Sequence, residues 1–137
     1  MNSSINIHMT SKPRVLIVGG GFAGIELAKC LAHTEVQVVL VDKNNYHTFQ
    51  PLLYQVATAA LEADSIAYPF REIFKKQKNF HFRMAEVLKV RPQDHCVETS
   101  VGEIPYDHLI LALGSKTNYF GMEDFERNAM AMKSVPE

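Results

Sequence analysis

An α/β fold, with a central parallel sheet and a small antiparallel β-meander, is the architecture this sequence predicts. Three observations carry that prediction. Two β-branched apolar runs, Val15–Val18 and Val36–Val41, flank a stretch with helical periodicity. Glycines fill the turn between the first run and that stretch. A third apolar run, His108–Leu113, follows several shorter alternating ones. Apolar runs without alternation belong to strands covered on both faces, as in parallel sheets.

The chain has 137 residues, about one domain's worth. Hydrophobic residues make up 47% and charged residues 21%, which excludes wholesale disorder. Fourteen Lys and Arg oppose 15 Asp and Glu, for a net charge of -1. A strong basic field for nucleic acid is therefore excluded. The two cysteines, Cys30 and Cys96, are too few for a disulfide scaffold or a zinc cluster and point to a reducing compartment. No apolar run approaches the roughly 18 residues of a membrane span. Residues 1–12 are polar, do not read as a signal peptide, and are expected to be a disordered tail.

Order is expected from Arg14. Val15–Val18 reads as the first strand. From Phe22 to Ala32, the apolar residues Ile25, Ala28, Leu31 and Ala32 recur at helical spacing, with Glu26 and Lys29 facing out. Val36–Val41 is the second strand and ends at Asp42. A strand–helix–strand unit predicts parallel strands joined by a right-handed crossover. Asn44-Asn45 is a turn signal. Leu52 to Leu61 fits a short helix. Asp64 or Ser65 can cap a further helix whose apolar face is Ile66, Phe70, Ile73 and Phe74. Pro69 lies near its start, where a missing N–H matters least. Lys75, Lys76 and Lys78 lie at its end and suit the negative pole of a helix better than a binding patch. Phe80 to Val90 alternates as one strand, and Arg91-Pro92-Gln93-Asp94 reads as a turn. Cys96–Thr99 and Glu103–Ile104 form short antiparallel strands about Val101-Gly102. His108–Leu113 is a last buried strand running into Gly114-Ser115. Lys116 to Glu137 shows no clear periodicity, and no linker divides the chain.

The chemistry concentrates at Gly19-Gly20-Gly21-Phe22-Ala23-Gly24, a GxGxxG pattern placed after a strand and at the start of a helix. Gly19 permits the tight turn out of the strand. Gly21 lacks a Cβ, so a pyrophosphate can approach the backbone. Gly24 lets the helix pack closely on the sheet. The helix N-terminus then presents free N–H groups and partial positive charge to phosphates. Asp42 lies 18 residues after Gly24, at the end of the second strand. A carboxylate there can accept the hydroxyl protons of an adenosine ribose, and it repels a 2′-phosphate, which disfavours NADP. Lys43 weakens that exclusion slightly. The pattern leaves FAD and NAD both open.

The residues after Asp42 are more specific. The run DKNNYHTFQPLLYQVAT, Asp42 to Thr58, resembles the type II NADH dehydrogenases, single-subunit NADH:quinone oxidoreductases that carry FAD and pump no protons. Ile66 to Arg71, Ala85-Glu86-Val87 and Leu111 to Gly121 resemble the same family, so the likeness spans roughly residues 13–137. It implies that this is the N-terminal part of a Rossmann-like FAD-binding domain. It implies that Gly19, Gly20, Gly21, Phe22 and Ala23 wrap the pyrophosphate. Asp42 and Lys43 would hold the adenosine end, and Val87 would meet the adenine through its backbone. Gln50 and Pro51 would lie near the flavin ring, and Gly114 would end its strand beside the cofactor. No side chain here is implied as a general acid or base. The intact enzyme would pass a hydride from NADH to the flavin and two electrons on to a quinone. It would work at the cytoplasmic face of the inner membrane, held there by a C-terminal amphipathic helix and with no transmembrane segment. A homodimer stays open.

Two departures qualify the likeness. The family usually has Ala-Thr-Gly where this chain has Ala112-Leu113-Gly114, so any side-chain hydroxyl contact at 113 is lost. Such enzymes also need a second dinucleotide domain for NADH with its own glycine loop, and no second GxGxxG occurs here. The chain is accordingly expected to be a fragment that is inactive alone. The rival expectations are a non-catalytic nucleotide-binding module and the NAD-binding domain of another dehydrogenase; the Asp42–Thr58 run opposes the last.

Other candidates carry less. Cys30, among apolar neighbours on the first helix, is expected to pack. Cys96 shows no partner signal. A close cysteine pair after the second strand, as disulfide-reductase flavoproteins carry, is missing, which also opposes sulfide:quinone reductases. His8, His33, His47, His81, His95 and His108 lack metal-ligand spacing, so no metal is expected. His47 is expected to be ordinary loop structure, and Tyr46, Phe49 and Tyr54 are expected to pack.

Overall fold

Residues 7, 8 and 10–136 are described by the computed structural model of the chain. The chain runs through β1 (Arg14–Val18), α1 (Phe22–Cys30), β2 (Gln37–Asp42) and β3 (Tyr46–Thr48). A 3-10 turn at Gln50–Leu52 leads into α2 (Leu53–Ala57), and a second at Ala63–Ile66 into β4 (Ala67–Pro69) and α3 (Phe70–Ile73). Then come β5 (Phe80–Met84), β6 (Val87–Arg91), a 3-10 turn at Pro92–Asp94, β7 (Cys96–Thr99), β8 (Gly102–Pro105), β9 (His108–Leu111) and α4 (Glu123–Asn128).

The central sheet has the order β5-β2-β1-β9. Every pairing in it is parallel, with Val15 beside Val38 and His108, and Val38 beside Phe80. This is the architecture expected. β1 is buried along its whole length because both faces are covered. Successive side chains point to opposite faces. Val15 and Ile17, with Val38, Leu40 and Phe82, pack against Ile25 and Ala28 of α1 and against Phe70 and Phe74. Leu16 and Val18, with Val39 and Val41, pack against Val97 and Ile104 of the meander β6-β7-β8 and against Ile7. Each fully buried side chain of this size contributes about 1.5–3 kcal/mol, so the two-sided cover of β1 is a main source of stability.

Four segments differ from the expectation. The helix expected from Asp64 or Ser65 is broken. Ile66 closes a 3-10 turn whose N-cap, Glu62, makes no side-chain bond, and Ala67–Pro69 pairs antiparallel with β3. Pro69 disfavours helical backbone at Tyr68, so α3 begins only at Phe70. The lysines expected at its end therefore fall after it, and Lys75 instead pairs with Glu72 at 3.0 Å. The single strand expected over Phe80–Val90 is two strands in different sheets. Ala85 N–H donates to the Asp42 carbonyl and closes the central pairing, and Ser100 N–H donates to the Glu86 carbonyl and opens the meander. The last strand stops at Leu111, opposite Val18, because Gly19 turns away from the sheet. Within the expected tail, residues 1–6 and 9 lie outside the described residues. Ile7 is buried in the second core cluster, the His8 carbonyl accepts from Gln37 Nε2, and Lys12 pairs with Glu35 at 2.6 Å.

Phe70 fixes the site's geometry from below. A Cβ on Gly20 would stand 2.0 Å from Phe70 Cζ. Both residues are buried, so neither can move aside without disturbing the core. Gly20→Ala is expected to cost about 1–3 kcal/mol, the range for overpacking a core. Phe70→Leu should recover part of that loss when added to Gly20→Ala, although it destabilises alone. Urea unfolding of the two single variants and the double variant measures the coupling, and strict additivity would remove this contact as the constraint.

Candidate nucleotide-binding site

The sequence-predicted glycines and acid converge at the C-terminal ends of β1 and β2. Gly19 has φ of +105°, which admits no ordinary side chain, and its Cβ position lies 2.3 Å from the carbonyl oxygen of Ala112. The turn out of β1 is thus pressed against the end of β9. Gly24 faces back on the same turn, since its Cβ would meet the Gly19 carbonyl oxygen at 2.0 Å and Ile17 Cγ2 at 3.3 Å. The close approach of helix and strand expected at Gly24 is therefore first an approach of α1 to the loop carbonyl. Gly21 differs from both. It is exposed, and a Cβ there would meet nothing within 4 Å. The space in front of Gly21 is open, as the approach of a pyrophosphate requires.

The backbone donors divide in the same way. Gly19 N–H donates to the Val41 carbonyl at 2.8 Å, and Gly20 N–H donates to Asp42 Oδ2 at 2.7 Å. Helical bonding starts with Ile25 N–H donating to the Gly21 carbonyl. The amides of the first turn have no acceptor within α1, and the positive pole of α1 lies with them. Phe22 and Ala23, at the start of that turn, are exposed beside it. Such an arrangement of free amides at a helix N-terminus suits phosphate oxygens.

Asp42 has a task that the sequence did not show. Oδ2 holds Gly20 N–H, and Oδ1 accepts from Asn44 N–H at 2.8 Å. The carboxylate thereby ties the glycine loop to the end of β2. Each oxygen retains acceptor capacity for a hydroxyl. Lys43 beside it is exposed. Met84, the partner of Asp42 across the sheet, lies three residues before Val87, so the meander starts at this same end. Val87 itself is half-buried against the second core cluster. Gln50 and Pro51 are exposed in the 3-10 turn that follows Phe49. Gln50 Nε2 donates to the Lys133 carbonyl at 3.0 Å, and Lys133 Nζ to Ser115 Oγ at 3.2 Å, which links this turn to the stretch after Gly114. Gly114 has φ of +72° and stands three residues past the end of β9 rather than at it. The backbone that touches the glycine turn belongs to Ala112 and Leu113.

The lesser candidates fall out differently. Cys30, expected to pack, is exposed, because α1 ends there and turns its buried face through Gly24, Ile25 and Ala28. Cys96 is buried in β7. Phe49 and Tyr54, expected to pack, are 44% and 52% exposed. His47 lies on β3, not in a loop, and its Nδ1 is 3.0 Å from the Gly20 carbonyl oxygen. Phe22 meets His47 edge-to-face at 5.0 Å and Phe49 at 5.6 Å. Among the described residues, no group of three or more His, Cys, Asp or Glu could hold a metal ion.

A parallel sheet whose first strand turns through glycines into a helix, with an acid at the end of the second strand, defines a Rossmann-type dinucleotide-binding fold. Comparison with known proteins makes this more particular. The sequence profile of the pyridine nucleotide-disulphide oxidoreductase family matches residues 13–136, and the chain belongs to that family. It is 38% identical over 128 residues to a type II NADH:quinone oxidoreductase of Mycobacterium tuberculosis, covering 90% of this chain and 28% of that protein. It is 31% identical to a type II NADH:quinone oxidoreductase of Staphylococcus aureus, with 90% and 32% covered. NDH2 of Plasmodium falciparum, solved in complex with NADH, superimposes with a TM-score of 0.78 at 25% identity, over 91% of this chain and 27% of that one. Sulfide:quinone oxidoreductase of Aquifex aeolicus superimposes with a TM-score of 0.72 at 26% identity, over 78% and 25%. The chain spans about 28% of the length of the first of these curated relatives.

The contrast between Gly21 and Gly24 separates binding from folding. Gly21→Val is expected to cost about 1 kcal/mol or less of stability, as a poorer helix cap. Binding of adenosine diphosphate should nevertheless fall at least about tenfold, because the branched side chain fills the space the pyrophosphate needs. Gly24→Ala should show the reverse weighting, with overlap against backbone lowering stability by about 1–3 kcal/mol. Thermal melts and an adenosine diphosphate titration on both variants decide this. A Gly21→Val chain that binds as well as wild type would show that the ligand does not use this opening.

Proposed function

We propose that this chain is the FAD-binding part of a flavoprotein that oxidises NADH with a quinone. The observation that carries the proposal is the selective opening of the glycine turn, closed by packing at Gly19, Gly20 and Gly24 and open at Gly21. The names of the relatives supply the electron donor and acceptor. FAD supplies the redox chemistry when bound. The chain's own residues bind and orient it. Gly21, Phe22 and Ala23 offer first-turn amides to the pyrophosphate, and Gly19 and Gly20 set the turn that presents them. Asp42 accepts from the adenosine ribose while holding Gly20, and Lys43 borders it. Val87 lies on the adenine side. Gln50, Pro51 and Gly114 lie on the flavin side. The domain division follows: residues 13–137 form the N-terminal part of the FAD domain, and NADH is held by a region outside this sequence.

No helix among the described residues is long and apolar enough to cross a membrane. For the whole enzyme, the proposal extends to work at the cytoplasmic face of the inner membrane and to pairing of two copies.

Hydride transfer needs the nicotinamide held about 3–3.5 Å from its acceptor, and that positioning supplies much of the rate. NADH oxidation with added FAD and a soluble quinone should therefore be negligible for the 137-residue chain and enzyme-like for a version extended through the NADH region. Equal turnover by both would overturn the division proposed here. Fluorescence titration should show FAD bound in preference to NADP. Asp42→Ala should weaken FAD and also lower stability by about 1–3 kcal/mol, since two backbone N–H groups lose their acceptor. A variant that loses affinity with unchanged stability would reduce Asp42 to a ribose ligand alone.

A further inference from the structure

We infer that His47 is a positioning residue for the phosphate-binding loop: its imidazole sets the orientation of the Gly20–Gly21 peptide and so aims the amides that meet the pyrophosphate. The inference rests on the function proposed above and names how the site is held in shape.

The geometry begins with Gly20. Its N–H is taken by Asp42 Oδ2 at 2.7 Å, and its carbonyl oxygen lies 3.0 Å from His47 Nδ1. A carbonyl oxygen only accepts, so Nδ1 carries the proton and donates. A neutral ring that makes this bond is the Nδ1–H tautomer. With the Gly20 carbonyl pinned toward His47, the Gly21 N–H in the same planar trans peptide must point the opposite way. Gly21 has open space where a side chain would stand. Among the described residues, that peptide has no other side-chain anchor on its carbonyl side.

The rest of the surroundings holds the imidazole still. His47 sits on β3, paired across to Tyr68 on β4. Phe70, directly after β4, donates its N–H to the Asn45 carbonyl and lays its ring under Gly20. One short ribbon therefore delivers both the hydrogen bond above Gly20 and the ring below it. Phe22, the first residue of α1, meets the imidazole edge-to-face at 5.0 Å and is itself buttressed by Phe49.

The test uses side chains that mimic one ring nitrogen each. Asparagine places an N–H donor near the Nδ1 position, whereas glutamine places one near Nε2. Adenosine diphosphate is titrated into the 137-residue chain and followed by the amide resonances of Gly21, Phe22 and Ala23. His47→Ala and His47→Gln are expected to bind about tenfold more weakly, and His47→Asn to stay within about threefold of wild type. Equal losses in all three variants, or none, would overturn the inference. A second measurement does not need the ligand: nitrogen chemical shifts of the His47 ring should report a protonated Nδ1 at neutral pH. An Nε2–H tautomer would overturn it independently. If adenosine diphosphate leaves the wild-type loop amides unmoved while the ring shows Nδ1–H, the proposed function fails and the positioning contact stands.

Discussion

The structure at the nucleotide end depends on the immobilisation of one residue, Gly20. Three groups converge on it from different parts of the chain. Asp42 takes its N–H, His47 meets its carbonyl, and the Phe70 ring occupies the place of a side chain. Each contact belongs to a different element: the end of β2, strand β3 of the two-stranded ribbon, and the start of α3. Gly20 is therefore where the core, the ribbon and the binding loop are joined. A buried glycine held by these partners narrows the conformations open to the loop. The entropy of ordering the loop is then met by folding rather than by the ligand, which is how preorganisation raises affinity.

This arrangement also leaves Asp42 able to hold the loop and still accept further hydrogen bonds. A carboxylate offers about four lone-pair sites, and backbone N–H groups occupy two of them here. Those two bonds fix the orientation of the carboxylate. What remains free is therefore aimed by the protein. The loop's early amides are consumed internally at Gly19 and Gly20, so the donors left for an anion are those of the first turn of α1. The positive pole of the helix and the open face at Gly21 thus coincide in space. That coincidence of free amides, positive pole and open space suits an anion such as phosphate.

The sequence made the main sheet legible because β1 and β2 are buried on both faces, and short continuous runs of Val, Leu and Ile bounded by turn residues suit a doubly covered strand. Gly19, Gly21, Gly24 and Asp42 were legible because a motif fixes their spacing. Gly20 was legible as a member of the loop but not for its reason. Its partners lie 22 and 27 residues away at Asp42 and His47, and farther still at Phe70. Such a constraint has no local period. The helix expected around Ile66 to Phe74 failed because its apolar spacing is real but is shared between a 3-10 turn, a strand and one helical turn, with Pro69 dividing them. The switch of sheets between Met84 and Val87 was hidden because only two residues, Ala85 and Glu86, separate the strands, and no Gly or Pro marks the break. The residues beyond Gly114 were unreadable for a different reason: α4 buries no residue, so no apolar stripe exists to be recognised.

Leu113 shows what the glycine turn asks of the segment packed against it. The side chain is 69% exposed. The contacts that close the glycine turn come from the backbone carbonyl of Ala112 and the backbone nitrogen of Leu113. Ala112 N–H continues the β1 pairing by donating to the Val18 carbonyl at 2.8 Å. The fold therefore asks this segment for a backbone path and places no demand on the side chain at 113. A hydroxyl at that position, the residue type usual in the proteins this chain resembles, would be available to a ligand without being needed by the fold. Leucine there keeps the turn and offers no side-chain hydrogen bond. The tolerance follows from geometry: where packing is done by main chain, only what binds above it can choose the side chain.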